Sequence, residues 1–159
     1  MGMTRITVAL AAMAITGFVY GAAAQQKAPA AAALPKVTVY KTSSCGCCRL
    51  WVDHMKSNGF DVQAMDVSAA DVRGISKAAG LKDQDTSCHT SKIGAYTVEG
   101  HVPAADIKRM LKEQPAIAGL SAPGMPMGSP GMEQGNVKEP YDVIAFKKDG
   151  TSTVFSKHK

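Results

Sequence analysis

Long apolar runs, blocks of like charge and abundant cysteine are all missing from this 159-residue chain. Its longest uncharged apolar stretch, residues 6–20, is shorter than the ~20 residues of a membrane span, which excludes a multi-span membrane protein. The 18 Lys+Arg outnumber the 13 Asp+Glu and give a formal net charge of +5, but they form neither a run nor a helical stripe. A nucleic-acid-binding chain would concentrate them on one face. With 45% hydrophobic, 19% charged and 6% aromatic residues, the composition is that of an ordinary globular domain and excludes a long disordered tail. The 15 Gly and 8 Pro follow no collagen-like period, and no internal repeat is present. Four cysteines are too few to staple a chain of this length. Their placement is the informative feature, because three of them fall within residues 45–48.

The N-terminus has the layout of a secretory signal. Arg5 supplies a positive charge, residues 6–20 an apolar core and Ala22-Ala23-Ala24 a small-residue cleavage site. Cleavage after Ala24 is favoured over a retained membrane anchor, so residues 1–24 are assigned as signal peptide. Residues 25–35, rich in Ala, Pro and Gln, read as a flexible linker, and residues 36–159 as the folded domain. The expected location is the periplasm, outside the reducing cytosol, with no stable membrane span after cleavage.

Within the domain, Val37, Val39 and Lys41 alternate with Thr38 and Tyr40 as a first strand. A turn follows over residues 42–46, where Ser44 can cap a helix over residues 47–58 that Gly59 stops. A second strand is predicted over 60–67, then a helix over 69–79 capped by Ser68 and stopped by Gly80. Residues 82–90 read as polar loop and 95–98 as a third strand, with Glu99-Gly100 turning into His101-Val102. Pro103 opens a third helix over 104–114, with Ile107, Met110 and Leu111 on one face. Residues 119–136 read as Pro/Gly/Met-rich loop, and Lys148-Asp149-Gly150 joins strands 141–146 and 151–155 in a hairpin. The order β-α-β-α-β-β-α plus a hairpin implies an α/β, thioredoxin-like fold: a small mixed sheet with flanking helices and an extra C-terminal β-hairpin.

The chemistry concentrates where the first strand meets the first helix. Cys45 and Cys48 are spaced C-x-x-C, which brings both sulfurs to a helix N-terminus, where the helix dipole stabilises thiolate. Cys45 and Cys47 are spaced C-x-C and can converge on one soft ion. A dithiol oxidoreductase needs two thiols, and a third beside them would scramble its disulfide. Three thiolates in four residues are better explained by a thiophilic metal. Buried cysteines acting as small hydrophobes are a poor alternative beside Ser43, Ser44 and Gly46.

Cys88-His89, in the polar loop, is the second constellation. It supplies either a fourth thiolate and an imidazole, or a disulfide from Cys88 to Cys45 or Cys47; ligation is favoured. Four thiolates suit one Zn(II) or several Cu(I) ions, and the lack of a second C-x₂₋₄-C knuckle counts against zinc. Met125, Met127 and Met132 place three thioethers in a loop with no core periodicity. They are either Cu(I) ligands or a hydrophobic lid. His54 either packs beside Trp51 or donates to the site from behind. A cis Pro103 is expected, aiming His101 or Val102 at the cysteines. His158 reads as solvated tail.

The segments 39–48 and 51–54, Ser87-Cys88-His89-Thr90, residues 98–103, and 123–126 through 128–132 together resemble the periplasmic CopG-type copper-resistance proteins. That family has long been catalogued as a domain of unknown function. The resemblance covers about residues 36–155. It implies a thioredoxin-like fold, periplasmic copper binding and a role in copper tolerance. By position it implies Cys45, Cys47, Cys48 and Cys88 as copper thiolates, with His89, Met125 and Met132 as further candidates and Met127 carrying less weight. Copper, as Cu(I), is the expected ligand, and copper-efflux or other periplasmic copper-handling proteins are the expected partners. Nucleic acid is not. The leading expectation is a non-enzymatic Cu(I)-binding protein of copper resistance, holding one ion or a multi-copper cluster. The alternative is a thiol or copper oxidoreductase using Cys45 and Cys48, and a structural zinc site is a lesser third.

Overall fold

A computed structural model of the chain describes residues 1–2 and 33–159. The expected signal peptide and linker, residues 1–24 and 25–35, fall almost wholly outside the described residues. Among the described residues no helix is long and apolar enough to cross a membrane.

Strand β1 (Val37–Lys41) carries Val37 and Val39 on the face that helix α1 (Gly46–Ser57) covers, and both are fully buried. The crossover through α1 returns the chain to β2 (Val62–Asp66), parallel to β1, at the edge of the sheet. Helix α2 (Ala69–Ala78) begins with a capping box, in which Ser68 accepts from the Asp71 N–H and Asp71 accepts from the Ser68 N–H. Strands β3 (His89–Ile93) and β4 (Tyr96–Gly100) form a hairpin, and helix α3 (Ala104–Glu113) follows. Then come β5 (Gly119–Ala122), β6 (Tyr141–Phe146) and β7 (Ser152–His158). The sheet order is β2-β1-β3-β4-β5-β6-β7, parallel at β1/β2 and β4/β5 and antiparallel elsewhere. The expected α/β class, mixed sheet, flanking helices and C-terminal hairpin are therefore observed.

Period-two alternation divides the two faces of the sheet. Val37, Val39, Ile93, Val98, Leu120, Val143 and Ala145 pack with Trp51, Val52 and Met55 of α1 and Ile107 and Met110 of α3. The opposite face carries Phe146, packed with Ala79 and Leu81, and the polar pair Thr90 and Glu99, whose hydroxyl member reaches the Val72 carbonyl of α2. Trp51 is fully buried and its indole N–H donates to the Val102 carbonyl at 2.9 Å, tying α1 to the segment after β4.

Four local expectations are corrected. The hairpin turns at Gly94-Ala95, not at Glu99-Gly100, so residues 89 and 90 belong to a strand and Glu99 lies inside β4. Gly94 has φ +58, as the first central position of a tight hairpin turn requires. Residues 119–122, read as loop, form the wholly buried strand β5, and Gly119 permits it because a Cβ there would overlap the Thr97 carbonyl. The cap of α1 is Cys45, not Ser44. Among the described residues no peptide bond is cis, so Pro103 is trans; it stands as the N-cap of α3.

Candidate metal centre

The site is built from four chain segments. Cys45 caps α1, and its sulfur accepts the Cys48 N–H at 3.3 Å. Helical geometry turns Cys48 inward, where it is fully buried, and leaves Cys47 half-exposed on the same first turn. Cys88 immediately precedes β3, and the register pairing His89 with Lys41 carries it to the end of β1 from which α1 departs. His101 follows the last residue of β4.

These elements bring all four sulfurs within 4.8 Å of one another. Cys45 and Cys48 form a disulfide, and Cys47 and Cys88 are free thiols. The pairing differs from the considered disulfide between Cys88 and Cys45 or Cys47. The Cys47 sulfur lies 3.6 Å from that of Cys45, and the Cys88 sulfur 3.5 Å from that of Cys48. A second donor group shares Cys88: its sulfur is 3.5 Å from His89 Nδ1 and 3.1 Å from His101 Nε2. Both imidazoles are fully buried, stacked edge-on at 5.1 Å, with the Trp51 ring 4.6 Å from His89.

Burial sets the protonation states. It pushes the Cys88 thiol up to about 12, with the neighbouring Cys47 adding to the shift. Burial, then the charges on His101 and Lys41, push His89 down to about 3, and burial lowers His101 as well. Both rings are therefore neutral at neutral pH and present lone pairs. His89 turns Nδ1 to the Cys88 sulfur, and its Nε2 is buried with no hydrogen-bond partner among the described residues. The four sulfurs, with His89 Nδ1 and His101 Nε2 beside Cys88, form a soft donor set that fits a thiophilic ion such as copper.

The Met-rich loop closes over this group as a strap. At one end the Gly124 N–H donates to the Thr86 carbonyl at 3.1 Å and the Ser87 hydroxyl donates to the Gly124 carbonyl, both beside Cys88. At the other end Gly131 lies on the first turns of α1, and the Pro130 carbonyl accepts from His101 Nδ1 at 2.8 Å. Met125 and Met132 each follow one of these anchored glycines. Met125 is 52% exposed and Met132 half-buried. Met127 instead lines a separate cavity of about 220 Å³ with Pro103, Tyr141 and His158.

Beneath the loop, the fully buried Glu99 accepts the Ser87 N–H at 2.7 Å and shares a 2.6 Å hydrogen bond with the Thr90 hydroxyl, bracketing Cys88-His89. Sequence reasoning missed Glu99 because it was set in a turn; a carboxylate two residues before His101 was the available signal. Of His101 and Val102, either of which was expected to face the cysteines, His101 does so, without a cis peptide. His54 is half-buried, and its Nε2 accepts the Ala104 N–H at 3.1 Å and so caps α3. His158 is not solvated tail, since its Nε2 pairs with the buried Asp106 at 2.7 Å and its ring stacks on Tyr141.

Two solved structures share this fold. They are named copper resistance protein CopG, form 1 and form 2, and align with TM-scores of 0.73 and 0.72 at 37% and 38% identity. The alignments cover 79% of this chain and 98% and 99% of those chains. This chain belongs to the CopG family of copper-resistance proteins. A family model described as DUF411, protein of unknown function, matches residues 86–132 of this CopG chain, from the Cys88 loop through the strap. No curated protein matches it. Membership of the CopG family and the cysteine cluster together give the protein a copper-related role.

Proposed function

We propose that this CopG-family protein binds Cu(I) in the periplasm, and contributes to copper resistance by sequestering the ion or handing it on. Cys45, Cys47, Cys48 and Cys88 supply the thiolates, His89 and His101 the imidazoles, and Met125 and Met132 outer thioethers. The observation that carries this reading is the convergence of four sulfurs within 4.8 Å at a helix N-terminus, where positive dipole charge offsets thiolate charge. Periplasmic residence is supported by the arrangement of Arg5, the apolar stretch 6–20 and Ala22-Ala23-Ala24. A copper-efflux or other copper-handling protein is the partner such traffic requires.

An anaerobic Cu(I) titration of the reduced protein against a chromophoric competitor tests this. At least one tightly held Cu(I) per chain is expected, and more than one identifies a thiolate-bridged cluster. Cys48→Ser lowers the stoichiometry while leaving the fold intact. Negligible Cu(I) with a single Zn(II) bound instead overturns the reading in favour of structural zinc.

The Cys45–Cys48 disulfide favours a second reading, in which this pair is redox-active. Two electrons and two protons open it to thiols, the electrons coming from an external dithiol or from two Cu(I) ions leaving as Cu(II). Reduction of insulin disulfides by the metal-free protein tests the dithiol version, and absence of turnover rejects it.

A further inference from the structure

We infer that the strap, residues 123–132, acts on the site by fixing the tautomer of His101, and that Gly131 is the positioning residue that allows it. The inference rests on reading the site as a copper site, and it assigns the strap a role separate from its thioethers.

His101 is fully buried and its two ring nitrogens meet different partners. A carbonyl oxygen only accepts, so at 2.8 Å from the Pro130 carbonyl Nδ1 carries the ring proton. In the neutral ring Nε2 then holds the lone pair, directed at the Cys88 sulfur 3.1 Å away. In the metal-free protein that lone pair accepts from the Cys88 thiol, and the same lone pair is the one a metal ion takes. The opposite tautomer would set the Nδ1 lone pair against a carbonyl lone pair at 2.8 Å. A carbonyl holding the far nitrogen of a ligating histidine is the usual device for orienting it. Proline at position 130 suits the task, because it offers a carbonyl and no competing N–H.

The carbonyl reaches His101 because residue 131 lies directly on α1. A Cβ on Gly131 would stand 2.8 Å from both the Cys47 carbonyl oxygen and the Trp51 nitrogen, and 3.3 Å from the Leu50 carbonyl carbon. These are helix backbone atoms and cannot yield locally, and Gly131 also has φ +86. Any side chain therefore lifts the strap and withdraws the Pro130 carbonyl. The strap is otherwise internally braced: the Met132 N–H donates to the Ser129 carbonyl at 2.8 Å and the Gly128 N–H to the Met132 carbonyl at 3.0 Å. Displacement at Gly131 thus moves it as a unit. Gly124 offers the matched control, with φ +69 and nothing within 4 Å of its Cβ position.

The test is long-range ¹H–¹⁵N correlation NMR of the metal-free, full-length protein, with the His101 signals assigned by their loss in His101→Gln. Wild type should show protonated Nδ1 and unprotonated Nε2 at His101. Gly131→Ala should lose that preference and weaken Cu(I) about 10- to 100-fold in the competitor titration, whereas Gly124→Ala should retain the wild-type tautomer. A proton on Nε2 in the wild type overturns the inference whether or not Gly131→Ala folds. So does a folded Gly131→Ala protein with the wild-type tautomer. Loss of the copper reading itself would appear separately, as a wild type with the stated tautomer and no tight Cu(I).

Discussion

Replacing Glu99 with glutamine should remove a pH dependence of folding that this one carboxyl creates. Burial raises Glu99 from its ordinary 4.5 to about 7, despite the opposing hydrogen bonds from Thr90 and Ser87. Between those values the folded protein keeps a proton that the unfolded chain has released. The neutral carboxyl therefore contributes its full stability below pH 4.5, and that contribution is lost as pH rises through about 7. At about 1.4 kcal/mol per pH unit of difference in proton affinity, the loss amounts to about 3 kcal/mol. The geometry accommodates the proton: a protonated Oε2 donates to the Thr90 hydroxyl 2.6 Å away, which can donate onward to the Val72 carbonyl at 3.4 Å. Glutamine preserves the acceptor for the Ser87 N–H and the donor for Thr90, and it does not ionise. Urea unfolding of the reduced, metal-free protein from pH 4.5 to 8.5 measures the effect. The wild-type midpoint should fall relative to Glu99→Gln by roughly 2 M, for a slope of about 1.5 kcal/mol per molar urea. Parallel pH profiles for the two proteins would refute the buried, proton-holding carboxyl.

His54→Ala should cost about 1 kcal/mol at pH 8, the usual value of a lost helix cap, because the Ala104 N–H loses its acceptor. Burial lowers His54, so its neutral-ring contribution is complete above 6.5 and lost as pH falls through the folded value; the wild-type advantage should shrink in acid, and a constant difference would argue against capping. Gly119→Ala should cost about 3 kcal/mol or more, since its Cβ would meet the Thr97 carbonyl carbon at 2.7 Å and the Phe146 ring at 2.9 Å. A loss below about 1 kcal/mol in urea unfolding would contradict the β4–β5 pairing.

Local signals in the sequence were enough for the cysteine cluster, the three helices and both flanking hairpin strands, because each is coded by neighbours in the chain. The middle of the sheet was not. His89, Thr90 and Ser91 are polar and buried, so the strand they form has no apolar alternation to announce it. Two of them have polar partners near the site: His89 Nδ1 lies against the Cys88 sulfur and the Thr90 hydroxyl is hydrogen-bonded to Glu99. Strand β5 is four small or single-apolar residues, Gly-Leu-Ser-Ala, too short for a period and decided by the space between β4 and β6. His54 and His158 were legible as histidines but not in role, because their partners lie 50 and 52 residues away at Ala104 and Asp106; for His101 the approach to the cysteines was legible, but not the Pro130 carbonyl 29 residues away.

The distribution of protons in the pocket connects the fold to copper chemistry. Without an ion the buried Cys88–His89 pair is neutral: burial holds the Cys88 proton up to a pH of about 12 and keeps His89 unprotonated down to about 3. A thiolate buried there alone would pay its desolvation with no counter-charge. Under the copper reading a soft cation would supply that charge, so its entry and the departure of the Cys88 proton would be one event. The sulfurs are carried by the first turn of α1 and the start of β3, and the imidazoles by the ends of β3 and β4. These groups sit on or beside regular backbone, so under the copper reading the main change before an ion binds would be reduction of the Cys45–Cys48 disulfide. Met125, at 52% exposure on the strap, is held far less tightly. Under the copper reading, the fold would separate a buried thiol–imidazole floor from the more exposed Met125 on the strap.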